Sequence, residues 1–413
     1  MKRIILNGRA RLVGDVRVGG SKNAALPIIF ATLITRGISE ITNLPDIGDV
    51  RVALDIISEL GAKVSRLGDT TLIDTRSLSY TEPSPDLISK IRASTYLIGA
   101  SLSRFGRVKI SEFGGCNFAN RPIDMHLDAC RILGAELNGD LLVTRGLVGG
   151  NIIFSKASVG ATVNAIILAA AAKGTTRICG FAREPHIDAL VDFLTSAGAD
   201  IRRTESTITI VGRELHGGKI TVIGDMIEAG TYLTAGLLTG GRVSVHGCNL
   251  PEVQTFLPFI TALGAGVTVE NDAVTACLSE RAEYISVTAA PYPAFPTDLQ
   301  PIIAPLLAKN AGGEIIDTVW STRFGYLKTL AAFGVTSEIS GNRAHIFPST
   351  SIHPATVTAP DLRGGMASLL LALCAEGESI INSAEIILRG YEKLQEKLYA
   401  LGQSIIIEDE KEK

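Results

Sequence analysis

The chain has 413 residues, 46% hydrophobic and 20% charged, so it can bury large cores and is not a disordered segment. At roughly 150 residues per domain, that length calls for two or three domains. Basic and acidic residues nearly cancel, 39 against 42, and aromatics reach only 5%, which excludes a general nucleic-acid binder built on a basic face or a stacking platform.

A first strand precedes Gly19-Gly20-Ser21, and its opening, Met1 to Gly8, turns polar too soon for a signal peptide. The longest apolar run, residues 163–172 with Asn164 inside it, falls short of the ~20 residues a membrane span needs. Six cysteines, at 116, 130, 179, 248, 277 and 374, form no CxxC pair, so the expectation is a reducing cytoplasm rather than a disulfide framework. Six histidines show no metal spacing, and neither a metal nor a cofactor is expected.

Along the chain a helix, then Leu-Gly-Ala or a near variant, then an alternating strand recurs six times. The glycines are Gly61, Gly134, Gly198, Gly264, Gly334 and Gly402, spaced 64 to 73 residues apart. Each stands where a helix end asks for a left-handed residue. A second pattern, an apolar helix followed by glycine and a β-rich strand, falls in phase with the first at 26–38, 95–108, 163–178, 232–243, 301–315 and 367–380. Each unit thus reads βαβαββ. Six units of this size exceed a solenoid repeat and group better as two globular sets of three, divided near residues 227–230.

The six apolar helices start at Ser21-Lys22-Asn23, Arg92-Ala93-Ser94, residues 156–160, residues 228–231, residues 297–300 and residues 361–365. Ser, Thr, Asp and Asn there are ordinary N-caps, worth ~1 kcal/mol each. Lys22, Arg92, Lys156 and Arg363 are not, since cations are unfavourable at a helix N-terminus. A bound anion resolves the conflict, because free N–H groups and the helix dipole already attract negative charge. The expectation is a cleft, lined by helix starts of both halves, for a ligand rich in phosphate or carboxylate. No GxxxxGK[ST] or GxGxxG explains it. Cys116 stands apart from the other cysteines, in the polar, glycine-flanked loop 114–126 near Arg121. A thiolate is favoured there, making Cys116 a candidate acid or nucleophile.

These residues resemble the enolpyruvyl transferase family in its UDP-N-acetylglucosamine branch and, more distantly, EPSP synthase. The likeness runs from about residue 3 to 407 and is carried by Gly20-Ser21-Lys22-Asn23-Ala24-Ala25-Leu26, Arg92-Ala93-Ser94, Gly114-Gly115-Cys116, Arg121-Pro122-Ile123-Asp124, residues 156–162, Ala182-Arg183-Glu184-Pro185, Phe295-Pro296-Thr297-Asp298 and Asp361-Leu362-Arg363. It implies an α/β fold, a two-domain inverse α/β prism in which each domain holds three βαβαββ repeats with pseudo-threefold symmetry. The domains would be 22–228, carrying the cysteine loop, and 1–21 with 229–413.

The resemblance also implies the chemistry: transfer of the enolpyruvyl group of phosphoenolpyruvate to the 3-hydroxyl of UDP-N-acetylglucosamine, with phosphate released, in peptidoglycan precursor synthesis. Lys22, Asn23, Arg121, Arg363 and Arg389 would hold phosphoenolpyruvate. Arg92, Arg121, Pro122, Ile123, Asp124, Met125, Lys156, Ala157, Ser158, Val159, Asp298 and Val319 would hold the nucleotide sugar. Cys116 is implied as proton donor to the methylene and Asp298 as base facing the 3-hydroxyl, with Lys22 and Arg389 also in the catalytic set. Substrates are the only partners expected: no nucleic acid, no membrane and no obligate protein. The family pattern carries histidine where Tyr292 stands, arginine at Met226, Gly-Ala ahead of Arg121 where this chain has Ala119-Asn120, and His-Ile-Asp at 386–388 where this chain has Ile386-Ile387-Leu388. These departures keep a paralogue acting on another uridine-nucleotide acceptor, or a nucleotide-sugar sensor without turnover, as alternatives.

Overall fold

All six repeat glycines take left-handed backbone, with φ of 93° at Gly61, 91° at Gly134, 100° at Gly198, 84° at Gly264, 91° at Gly334 and 95° at Gly402. A side chain would strain each of these turns, which is why the motif keeps glycine. The computed structural model describes residues 1–110, 122–248, 250–278 and 283–409. It is mixed α/β with six small sheets, five of four strands and one of three among the described residues.

The sheets share one plan. The strand after each apolar helix pairs antiparallel with the far strand of the hairpin that follows the glycine, as Ile38–Thr42 does with Thr70–Asp74 and Arg242–His246 with Ala273–Leu278. The sixth repeat lacks its own far strand. Lys2–Asn7 supplies it, lying antiparallel between Glu378–Asn382 and Ile406–Asp409 with Arg3 opposite Asn382 and Lys2 opposite Asp409.

The chain divides into the units Met1–Gly19 with Gly224–Lys413, and Gly20–Ile223. These divides fall at 19/20 and 223/224, and each cap residue goes with the helix it starts. Ser21 accepts the Ala24 N–H at the head of Lys22–Ala31, and Asp225 accepts the N–H groups of Ile227 and Glu228 at the head of Met226–Leu238. Two strands are exchanged at these crossings. Val13–Arg17 lies parallel to Arg242–His246 in the first unit, and Lys219–Thr221 lies parallel to Ile38–Thr42 in the second.

Each unit has its own core. The helices Lys22–Ala31, Val159–Ala171, Met226–Leu238, Gln300–Lys309 and Leu362–Cys374 are buried almost all round, as helices without a polar face must be. In the first unit Met226–Leu238, Gln300–Lys309 and Leu362–Cys374 touch one another pairwise. Charged side chains therefore collect at the ends of these helices, while the few polar residues inside them, Asn164 among them, are buried.

Candidate active-site residues

In the unit Gly20–Ile223, Lys22 opens its helix behind the Ser21 cap, with Asn23 beside it and half-buried. The Lys22 ammonium lies 3.3 Å from the Asp49 carboxylate, itself 8% exposed. A cation at this helix start thus has an internal counter-charge, and so does Arg363 below, so a bound anion is not the sole account of either. Arg92 begins the 3-10 turn Arg92–Tyr96 that leads into the helix Leu97–Phe105, and burial lowers the pKa of its guanidinium.

Pro122 and Ile123 lead directly into the helix Asp124–Ile132, where Asp124 is exposed and Met125 half-buried. Lys156 and Ala157 are exposed just ahead of the helix Val159–Ala171, whose Ser158 cap accepts the Ala161 N–H. These three segments converge on His126. Its ring is buried, and burial, then the charge of Arg92, lowers its pKa to about 4 against the opposing pull of Asp124. Cys116 and Arg121 lie outside the described residues.

The other unit holds an ionic cluster. Asp298 sits in the 3-10 turn Thr297–Leu299 at the head of the helix Gln300–Lys309. Its Oδ1 accepts from Arg323 Nη1 at 2.8 Å, and its Oδ2 from Arg363 Nη2 at 3.2 Å. Asp298 is 27% exposed, while the arginine side chains are 4% and 2% exposed. Arg363 stands in the first turn of Leu362–Cys374, where the Asp361 cap accepts its backbone N–H at 3.0 Å. Burial works against the Arg363 charge, yet Tyr391, Asp298 and Asp225 hold its pKa above the ordinary arginine value. Its Nη1 is buried, and the guanidinium lies against Tyr391, its centre 5.5 Å from the ring.

Asp317 organises the adjoining turn. It accepts from the Thr297 hydroxyl at 2.6 Å and from the backbone N–H groups of Val319 and Trp320 at 2.9 and 2.8 Å, which fixes Val319. Arg389 ends the short helix Glu385–Leu388, which packs on Leu362–Cys374. Met226, Ile386 and Leu388, three of the departures from the family pattern, are partly buried against this unit's core, and Tyr292 is half-buried.

Arg323 escaped the sequence reading, as did Asp49 and Asp317. Arg323 falls in no motif, and only its partnership with Asp298 across 25 residues reveals it. Of the remaining cysteines, burial pushes the Cys130 thiol up to about 12 and raises those of Cys248 and Cys374, so these three are poor nucleophiles. Among the described residues no cluster of His, Cys, Asp and Glu is arranged to hold a metal ion, and no helix is long and apolar enough to cross a membrane.

The family model described as EPSP synthase (3-phosphoshikimate 1-carboxyvinyltransferase) matches residues 6–398. A protein named UDP-N-acetylglucosamine 1-carboxyvinyltransferase from Prosthecochloris aestuarii is 39% identical, with 98% of each chain covered. One of the same name, numbered 1, from Streptococcus agalactiae is 37% identical over 99% of this chain and 100% of its own. Among solved structures, the enolpyruvyl transferase NikO from Streptomyces tendae superposes with a TM-score of 0.89 at 27% identity, covering 98% of this chain and 99% of its own. An EPSP synthase from Acinetobacter baumannii, at 17% identity and a TM-score of 0.75 over 99% of this chain and all of its own, shares the fold.

Proposed function

The chain belongs to the EPSP synthase family, and on that footing we propose that it is an enolpyruvyl transferase acting on UDP-N-acetylglucosamine. It takes the enolpyruvyl group from phosphoenolpyruvate, places it on the sugar 3-hydroxyl and releases phosphate, a step of peptidoglycan precursor synthesis in a reducing cytoplasm. What carries the reading is the near full-length likeness to proteins named for that transfer. The finer architecture that goes with it is the inverse α/β prism, three repeats about a pseudo-threefold axis in each unit. The pairwise contacts of Met226–Leu238, Gln300–Lys309 and Leu362–Cys374 support it.

In this reading Cys116 donates a proton to the methylene of phosphoenolpyruvate, leaving positive charge on the carbon that bears the phosphate ester. The sugar 3-oxygen attacks that carbon as Asp298 takes its proton. The resulting methyl group then gives up a proton, the double bond re-forms and phosphate leaves. Acid and base each contribute ~10²–10⁴-fold to such a sequence. Lys22, Asn23, Arg121, Arg363 and Arg389 offset the charge of the phosphate and carboxylate throughout. Arg92, the 122–125 segment, the helix start at 156–159 and Val319 hold the nucleotide sugar.

The ion pairs of Asp298 refine the role of the base. Both carboxylate oxygens are engaged by arginines, which fixes the direction in which the carboxylate points. An anionic substrate that draws on Arg363 loosens the contact with Oδ2, and Arg323 holds Oδ1.

A second reading, transfer to another uridine-nucleotide acceptor, is favoured by Met226, Tyr292, Ile386 and Leu388, where polar groups of the family pattern are replaced. Phosphate release from phosphoenolpyruvate, measured with a panel of UDP-sugars and with shikimate 3-phosphate, separates the two. Release with UDP-N-acetylglucosamine is expected; release with a different acceptor alone rejects the first reading. Tight nucleotide-sugar binding without release from any acceptor marks a sensor instead.

A further inference from the structure

The helix Val159–Ala171 is buried without a break from Ala161 to Ala170, and Asn164 is a fully buried amide within that run. Its Oδ1 accepts the Gly99 N–H at 2.6 Å. Its Nδ2 donates to the Thr95 carbonyl at 3.1 Å and to His126 Nδ1 at 2.8 Å, with the Gly160 carbonyl of its own helix at 3.4 Å. A backbone N–H can only donate, so Gly99 fixes which way the carboxamide faces. His126 is neutral near pH 7, which leaves its Nδ1 lone pair to accept. Space for this knot is reserved by two glycines. A Cβ on Gly99 would lie 2.6 Å from Asn164 Oδ1, and one on Gly160 would lie 2.9 Å from the His126 ring.

A leucine at this helical position would leave the Gly99 N–H and His126 Nδ1 without this partner, so the amide is tied to groups of two other elements and is not there for packing alone. What the amide adds is register. One side chain joins the Arg92–Tyr96 turn through Thr95, the helix Leu97–Phe105 through Gly99, the Asp124–Ile132 helix through His126, and its own helix behind Ser158.

We propose that Asn164 is a positioning residue that locks the turn at Arg92, the segment 122–125 and the helix start at 156–159 into the one spacing that fits a nucleoside diphosphate sugar. The inference rests on the assignment of those segments to the nucleotide sugar above. A ligand with uracil, ribose, diphosphate and sugar in fixed succession is bound well only if its contacts are held at the matching separations before it arrives.

The test is calorimetric titration with UDP-N-acetylglucosamine in the absence of phosphoenolpyruvate, joined to steady-state KM values for both substrates. For Asn164→Leu, Kd and KM for the nucleotide sugar rise together by about tenfold or more, part of the ~10²-fold that a 1 Å misplacement can cost. KM for phosphoenolpyruvate stays within about twofold, a split that a general loss of stability would not produce. His126→Phe keeps a flat ring, removes the acceptor and gives a smaller shift in the same direction. In the wild-type protein the Asn164 amide and His126 ring NMR signals move when UDP-N-acetylglucosamine binds. An unchanged Kd in either folded variant, or signals that stay still at saturation, overturns the proposal while leaving the function intact. A wild-type protein that does not bind UDP-N-acetylglucosamine overturns the functional reading and this inference with it.

Discussion

In the unit Gly20–Ile223 the polar knot at Asn164 is neutral, an amide with an uncharged His126, and the Lys22–Asp49 pair is a separate ionic contact; in the other unit the buried polar groups are ionic, Asp298 with Arg323 and Arg363, and Glu228 with Lys397 at 2.5 Å. Asp298, Arg363 and Glu228 stand at repeated helix starts, whereas Asn164 sits within its helix. The neutral knot fixes backbone spacing, which suits recognition of an extended ligand. The ionic cluster presents charge, which suits a reaction that moves protons and expels phosphate.

The two units also respond to pH in opposite senses. Burial lowers the His126 pKa from 6.5 to about 4, so between those values the unfolded chain binds more protons. Its contribution to stability is present above pH 6.5 and is lost as pH falls toward 4. Burial raises the Glu228 pKa from 4.5 to about 7, despite Lys397 and the Gly19 N–H. There the folded chain holds more protons, so that contribution is present below pH 4.5 and is lost as pH rises through 7.

The largest expected effect breaks the ionic side. Asp298→Asn lowers turnover by roughly 10³-fold. It also leaves the two buried arginines without their shared carboxylate and costs about 3 kcal/mol in urea unfolding. Combining it with Arg323→Gln recovers part of that stability and none of the turnover. A stable Asp298→Asn protein would show that the cluster is not held as described. Next in size, Cys116→Ser lowers turnover by about 10²-fold with nucleotide-sugar affinity kept. It also abolishes alkylation by fosfomycin, read as adduct mass. Retained alkylation would assign the reactive thiol elsewhere.

Two gentler measurements sharpen the pH contrast. Glu228→Gln removes the part of the stability loss between pH 4.5 and 7 that Glu228 contributes, followed by urea midpoints at several pH values; an unaltered slope contradicts the burial argument. The smallest effect is spectroscopic. The His126 ring shows no protonation step between pH 5 and 8, and a midpoint near 6.5 would mean that the knot opens.

Much of the fold was legible because its signals are local. A glycine after each amphipathic helix and a cap ahead of each buried one are read within a few residues. The placement of the first strand was not, since Lys2–Asn7 takes its partners from Glu378–Asn382 and Ile406–Asp409 at the far end of the chain. The site divides in the same way. Lys22, Asp298 and Arg363 stand in motifs, whereas Arg323 and Asp49 act through partners 25 and 27 residues away with no pattern to mark them. Asn164 looked like an interruption of an apolar run, and its purpose lies in Gly99, 65 residues back, and His126, 38 back.

The most direct test of the account is the structure of the product. After incubation with phosphoenolpyruvate and UDP-N-acetylglucosamine, NMR is expected to show one vinyl group joined through oxygen to carbon 3 of the sugar, with one phosphate released per linkage. Unconsumed phosphoenolpyruvate, or a vinyl group on any other oxygen, would contradict it.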